Sequence, residues 1–492
     1  MQTIALLPLD NRPPNYDFPA RLARIPGVQI LLPPREFSGG AHHSAQQDSL
    51  ERWLLQLPPV DAVIVSIDAL AFGGLAQSRQ LNPQKTISTQ DAESRLKVLL
   101  QFREQRPDVP LYAFNVLMRL GITMDSDAVS QTHFNLQRYS RLMDEANAFD
   151  STYLREQLAE VIAQIPPKVL SDYLALRRRN HEINLWALRQ SAAHKWNFLS
   201  LAQEDCAEFG LHRAEQKKLL LLIEELKLQQ KVSLHPGTDE AAMVLAARLW
   251  NNKSTFDVHW SDPQGAQRIP PYEDRPFRET VAAQLAIAQC EESADADFTL
   301  FINAPAACAR DRQTPEQAQH HQQNLQRMVD AMTAAAEEGK RIALCDAAFP
   351  NGADDALMSL LDKRNLLGQL CAFAAWNTAS NALGTVITQC TAFAASHFEA
   401  QDLNRQFVLE RILDDWIYQT RLRPQMQNRA RLAEVSSLRL GEFKEELRKQ
   451  LERELRGYGN LIAKRHFNMS LGNLKVDFPW DRTFEIQLTL ER

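Results

Sequence analysis

Short apolar runs that stop on polar residues recur along this chain, and a stretch of helical periodicity follows each one. The clearest is DAVIVSID at residues 61–68, whose continuous, β-branched centre suits a strand covered on both faces. Comparable runs lie at Thr3–Leu9, Val28–Leu32, Leu111–Met118, Asn197–Ala202, Val232–Leu234, Phe256–Trp260, Phe298–Ile302, Ile342–Cys345 and Leu370–Ala375. Strands of this length alternating with helices of roughly 12 to 18 residues pair in parallel, because the crossover helix returns the chain to the same end of the sheet. The expected fold is therefore α/β, built of parallel β/α units. It reads as a (β/α)8-barrel-like arrangement with extra β/α units and helical insertions; the alternative is two doubly wound domains in tandem. Residues 1–125 hold the first units, 126–195 read as a helical insertion, 196–395 hold the remaining units, and 396–492 form a helical region closed by an extended strand from Val476 to Leu490.

Composition narrows the function classes. A net charge of −6 over 492 residues offers no electrostatic footprint for nucleic acid or an anionic membrane surface. The six cysteines, at 206, 290, 308, 345, 371 and 390, show no CxxC spacing and read as reduced core thiols. No apolar run approaches the ~20 residues a membrane-spanning helix needs. The opening MQTIALLPLDNRPP lacks a basic leader and reads as a first strand, so a cytoplasmic location is the expectation. There is no GxGxxG after the first strand, no GxxxxGK(S/T), no HExxH and no GxSxG. The histidines lack metal-ligand spacing, and no cofactor is expected.

In parallel α/β proteins ligands are held at the carboxyl ends of the strands, where loops converge and helix amino-termini present unpaired N–H groups. The stretch 341–385 carries two such ends: Asp346, Asn351, Asp354 and Asp355 follow one run, and Trp376, Asn377, Thr378 and Asn381 follow the next. Earlier ends carry Asp10-Asn11-Arg12, then Asp68 with Gly73-Gly74 and Arg79, then Glu204-Asp205, then His235 before Pro-Gly-Thr-Asp239-Glu240. Each has a plainer explanation. Asp10 and Arg12 can be a structural ion pair, Asp354 or Asp355 a helix cap, Asp239 and Glu240 first-turn acids, and Trp376 core. Arg177 to His181 reads as a solvated helix face, the alternative being a contact to a substrate anion.

Seven motifs occur in order: PLDNRPP at 8–14, the glycine-rich 68–79 loop, PGTDE at 236–240, YEDRP at 272–276, NGADD at 351–355, AWNTASNALGT at 375–385 and FPWDRTFE at 478–485. By these the chain resembles, along essentially its whole length, the bacterial family catalogued as domain of unknown function 4127. The family name confers no activity. In the family pattern two adjacent aspartates end one strand, with Pro and Gly shortly after. Here the pair is Glu204-Asp205 and Gly210 is kept, so one acid has a longer arm.

Adjacent carboxylates at a strand end are similar to those of substrate-assisted N-acetylhexosaminidases, where one acid orients the acetamido group and its neighbour protonates the leaving oxygen. The expectation is a carbohydrate-active hydrolase, a glycoside hydrolase with Glu204 and Asp205 as its acids. Asp10, Asn11, Arg12, Asp68, Arg79, His235, Asn351, Trp376 and Asn377 would position a small carbohydrate. One alternative is a Mg- or Mn-dependent hydrolase or lyase using Asp346, Asp354 and Asp355. The other is a non-catalytic sugar-binding protein. No nucleic-acid or membrane partner is expected.

Overall fold

The structure is a computed structural model that describes residues 1–81, 87–124, 126–250, 253–396 and 400–491. The chain divides into two compact units. The first comprises Met1–Asp17, Gln29–Ala242 and Tyr272–Asp274, and the second comprises Phe18–Val28, Met243–Pro271 and Arg275–Arg492.

The first unit is built on six strands: β1 (Thr3–Leu7), β2 (Gln29–Leu31), β3 (Ala62–Ser66), β4 (Leu111–Leu117), β5 (Phe198–Gln203) and β6 (Val232–Pro236). They lie in the order β2-β1-β3-β4-β5-β6, and every pairing is parallel. Ile4 to Leu7 and Val63 to Val65 are wholly buried, as strands covered on both faces must be. Between β4 and β5 the chain makes three helices, Asp127–Phe149, Thr152–Ala163 and Pro167–Ala192. Their Leu136, Tyr139, Val161, Tyr173 and Leu176 share a separate core with Met118 and Ile122, just beyond β4.

The second unit has β7 (Thr255–Trp260), β8 (Glu291–Glu292), β9 (Phe298–Asn303), β10 (Ile342–Asp346) and β11 (Leu370–Ala374), in the order β11-β10-β9-β7-β8 and again all parallel. Numbered from its own first strand this is the path 2-1-3-4-5, the path the first unit follows before β6 extends it. In both, the winding direction reverses between the first and third strands, so loops from neighbouring strands part there.

The fold is thus α/β with parallel sheets, but the barrel-like arrangement is corrected. Among the described residues neither sheet closes. Barrel closure requires the outermost strands to pair with each other, whereas β2 bonds only to β1 and β6 only to β5. What forms is one open sheet in each unit, closer to the tandem alternative. Strand β8 escaped the sequence reading because it is a two-residue, charged edge strand with no apolar signal. The closing extended strand also divides: β12 (Asn473–Asp477) and β13 (Gln487–Glu491) form an antiparallel hairpin, with the Pro479-Trp480-Asp481-Arg482 segment between them. No helix among the described residues is long and apolar enough to cross a membrane.

Glycines allow the first unit's loops to meet backbone to backbone. The carbonyl of Gly39 accepts from Asn11 N–H at 3.0 Å, and a Cβ on Gly39 would stand 2.1 Å from the Gly73 carbonyl oxygen. Gly27 differs: it adopts φ +76° with nothing within 4 Å of an added Cβ. Gly39→Ala should therefore destabilise the protein by more than about 3 kcal/mol through displaced backbone. Gly27→Ala should lose only about 1–2 kcal/mol, the cost of a left-handed residue. Urea unfolding midpoints of the two variants provide the comparison, and equal losses would contradict the steric assignment.

Candidate functional site

At the carboxyl edge of the first sheet the residues after β1 and β6 are joined. Arg12 donates from Nε and Nη2 to Asp10 at 3.0 and 2.6 Å, and from Nη1 and Nη2 to Asp239 at 3.0 and 2.6 Å. Asn15 Nδ2 adds bonds to both carboxylates, at 3.1 and 2.9 Å. All of these side chains are buried. Burial raises the Asp10 pKa more than the Arg12 charge pulls it down. This is the structural ion pair anticipated as the plainer reading, widened to a triad by Asp239. Asn11 contributes its backbone, its carbonyl accepting from Arg35 Nη1 at 2.7 Å.

Beside it, charges of alternating sign follow β3, β4 and β5. Asp68 opens the helix Ile67–Phe72, capped by Ser66, and its Oδ2 accepts from Val116 N–H at 2.7 Å. Burial pushes its pKa up to about 7, against the pull of that N–H and of Arg179 and Arg79. Arg79 pairs with Glu204 Oε1. Arg119, just past β4, pairs with Asp205 and also stands 3.9 Å from Glu204 Oε1. Strand β5 ends at Gln203, so the strand alternation that would send adjacent acids to opposite faces no longer applies at Glu204 and Asp205. Glu204 is buried while the Asp205 side chain keeps 23% exposure. Desolvation drives the Arg79 pKa down, and the neighbouring Arg119 charge adds to that.

The Arg177–His181 segment corrects the solvated-face expectation. Only Arg178 is exposed. Arg177 holds Glu215 with Nε and Nη2 at 2.9 and 2.7 Å and donates from Nη1 to the Arg119 carbonyl at 2.6 Å. Arg179 lies 4.2 Å from the Phe72 ring centroid, and Asn180 donates to the Ser78 carbonyl at 2.9 Å. The helix thus braces the backbone that presents Arg79 and Arg119. Charge density alone could not show this, because a buried and a solvated arginine run look alike in sequence. His133 was also missed. It is buried on the helix Asp127–Phe149, binds the Ile122 carbonyl at 2.8 Å, and is held to a pKa of about 4 by burial and by the Arg119 charge. His235 is occupied. Its Nδ1 lies 2.8 Å from the Pro236 carbonyl and so carries the proton, which leaves Nε2 to accept from Ser200 Oγ at 2.8 Å.

The remaining expected residues belong to the second unit. Asn351 and Asn377 both take left-handed backbone conformations, with φ of 63° and 56°. Asn351 N–H donates to the Asn377 carbonyl at 2.8 Å. They shape and join the loops after β10 and β11. Trp376 is buried, donates from Nε1 to Thr385 Oγ1 at 3.0 Å and meets Phe18 edge-on, so the core reading holds. Asp346 accepts from Asn303 Nδ2 at 2.9 Å and from Asp354 N–H at 2.6 Å, and burial lifts its pKa to about 7. Asp354 caps the helix Asp355–Lys363 and lies 2.6 Å from His321 Nε2. Asp355 accepts from Trp416 Nε1 and Arg421 Nε at 2.8 and 2.6 Å. Each of the three acids is thus engaged by donors or a histidine of the protein itself.

A model of one protein family, described as protein of unknown function (DUF4127), matches residues 4–489. No curated protein and no solved structure matches the chain.

Asp68 gives the first unit a pH signature. Its folded pKa, about 7, stands above the ordinary aspartate value of about 3.9. The folded protein therefore keeps a proton that the unfolded chain has released. The stability this carboxyl contributes is present below about pH 4 and is lost as the pH rises through about 7. Asp68→Asn keeps an acceptor for Val116 N–H and removes the titration. Its stability should fall less between about pH 5 and pH 8 than that of the wild type, by up to about 1.4 kcal/mol per pH unit. Urea midpoints at the two pH values measure this, and identical pH dependence in both proteins would refute it.

Proposed function

The chain belongs to the DUF4127 family, and from the carboxyl edge of its first sheet we propose that it is a cytoplasmic, carbohydrate-active enzyme, a glycoside hydrolase that uses Glu204 and Asp205. The supporting observation is that two adjacent carboxylates just beyond β5 occupy unlike surroundings: Glu204 is buried against Arg79, and Asp205 is the more open member, on Arg119. Unlike environments are what allow two carboxyl groups to divide acid and base roles. In this reading Arg79 fixes Glu204 as a carboxylate that orients the substrate and stabilises positive charge developing at the anomeric carbon. Asp205 reaches the glycosidic oxygen once the sugar draws Arg119 away from it, and then acts as proton donor. The buried triad of Asp10, Arg12 and Asp239 serves as a fixed wall rather than a reacting group.

A second reading, sugar binding without turnover, is favoured by the arginine on each carboxylate. An acid whose oxygens are engaged by a guanidinium is poorly placed to reach a leaving oxygen and donate to it. Chromogenic glycosides, N-acetylhexosaminides included, separate the two. The hydrolase reading expects chromophore release independent of added Mg or Mn, reduced about a hundredfold to ten-thousandfold in Asp205→Asn and Glu204→Gln. Absence of release from every glycoside, with sugars still raising the melting temperature, would replace it with the binding reading.

A further inference from the structure

Just beyond the acid pair, three side chains of the first unit converge without a role in the chemistry above. Cys206 follows Asp205, His212 stands in the first turn of the helix Leu211–Glu225, and Asp274 comes from Tyr272–Asp274, the short later stretch that belongs to this unit. It lies within the motif YEDRP. All three are buried, and one ligand atom from each, the thiol sulfur, a ring nitrogen and a carboxylate oxygen, lies within 4.8 Å of the others.

His212 is the informative member. Its side chain is 0% exposed, and neither ring nitrogen makes a hydrogen bond of normal geometry, although the Ala207 backbone approaches the ring closely enough to favour its protonated form. A buried polar atom left this way costs about 1–3 kcal/mol, and even with Ala207 near the ring one nitrogen still calls for a partner. Asp274 does not supply it by hydrogen bonding, because its Oδ2 lies 3.6 Å from Nε2. That separation suits two atoms that share a cation instead: tetrahedral zinc, with bonds of about 2.1 Å to nitrogen and oxygen, sets its ligands about 3.4 Å apart.

The surroundings hold the ring and the carboxylate in place. A Cβ on Gly210 would meet His212 Nδ1 at 2.8 Å, so only glycine leaves the ring its room, and Nε2 is the nitrogen near Asp274. Gln216 Nε2 donates to Asp274 Oδ2 at 2.5 Å and to Gln203 Oε1 at 3.1 Å, an outer contact of the kind that orients a metal-binding carboxylate. Arg213 Nη1 stands 3.5 Å from the same oxygen. Cys206 receives its register from Tyr272, whose carbonyl accepts from Cys206 N–H at 2.9 Å and from the Cys206 thiol at 3.5 Å, the bond that gives way when the thiol loses its proton. Tyr272 itself takes a left-handed backbone, φ 70°, a conformation a bulky residue adopts only where its surroundings impose it. Burial keeps the imidazole neutral, the form that ligates, with a pKa of about 3.

We propose that Cys206, His212 and Asp274 form a binding site for a borderline-soft divalent cation of the zinc type, with three protein ligands and a fourth position left for water. The donor set decides the class. A thiolate with an imidazole selects Zn2+, or Co2+ in its place, over the all-oxygen preference of Mg2+ and Ca2+. Binding converts the Cys206 thiol to a thiolate and releases its proton to solvent. The site is independent of the glycoside reading and would stand or fall without it.

The test uses the full-length protein, loaded with Zn2+ and desalted, with bound metal measured by mass spectrometry and Co2+ loading followed by absorption. The wild type and Cys371→Ser, a control for the other thiols, should each retain about one metal per chain, and Co2+ should produce thiolate charge-transfer absorption. Cys206→Ser and His212→Gln, shown to be folded by circular dichroism, should lose the retained Zn2+, and Cys206→Ser the cobalt–thiolate band. If His212→Gln does not fold, the near-isosteric Cys206→Ser decides alone. Wild-type protein that retains no metal, or a folded Cys206→Ser that retains as much as the wild type, would overturn the assignment.

Discussion

The first unit depends on the rule that a buried charge must meet an opposite charge. Arg12 is enclosed with Asp10 and Asp239, and Arg79 with Glu204. None of these pairs joins neighbouring strands. Arg12 ties the loop after β1 to the loop after β6, although three strands separate those two in the sheet, and Arg79 ties the loop after β3 to the end of β5 across β4. Removing one partner would leave the other charge uncompensated in a site that excludes water, at a cost of about 3–5 kcal/mol. The same bonds that hold the loops therefore fix where polar groups can stand along the carboxyl edge.

The second unit solves the same problem with hydrogen bonds in series. Ser261 Oγ donates to Asn303 Oδ1 at 3.1 Å, and Asn303 Nδ2 donates to Asp346, so the ends of β7, β9 and β10 are linked in order. Arg411 is completely enclosed, bound to Asp414 and Asp415 with its guanidinium 4.1 Å from the Phe18 ring centroid. Asp415 in turn accepts from Ala375 N–H at 2.8 Å, which fixes the loop after β11 from below. These three residues sit where the helix continuing from Gln401–Arg411 widens over Ile412–Leu422, and their i,i+3 and i,i+4 spacing sets both acids on the face of the arginine. Two sheets with the same strand path thus carry different polar chemistry at their edges, which is the usual separation between a fold and the sites placed on it.

What was legible in the sequence follows from the range of the interactions involved. Parallel strands buried on both faces announce themselves locally, and ten of the β1–β11 set were read to within a few residues. Strand β8 was not, because its pairing needs only backbone atoms and its two glutamates carry no apolar signal. Whether the strands make one barrel or two sheets is decided by pairings between distant residues, which periodicity does not encode. The polar residues at strand ends were visible as types, and their partners were not. Asp10 and Arg12 could be paired from adjacency, but Asp239, the third member, lies more than 220 residues further on. The Arg177–His181 run was misread for the same reason: Glu215, Phe72 and the carbonyls it meets are remote in sequence.

The carboxyl edge of the first sheet is consequently a place where long-range contacts, not local propensity, determine chemistry. Glu204 and Asp205 are adjacent in sequence yet differ in partner and exposure, because one arginine arrives from the β3 loop and the other from the end of β4. Five residues beyond Asp205 the chain turns at Gly210 into a helix, and its first turn delivers His212 to a carboxylate from position 274. A triad assembled from three such separated positions has no spacing by which a motif search would find it. Its mark is physical: a fully buried imidazole whose ring nitrogens lack hydrogen bonds of normal geometry, close to a thiol and a carboxylate.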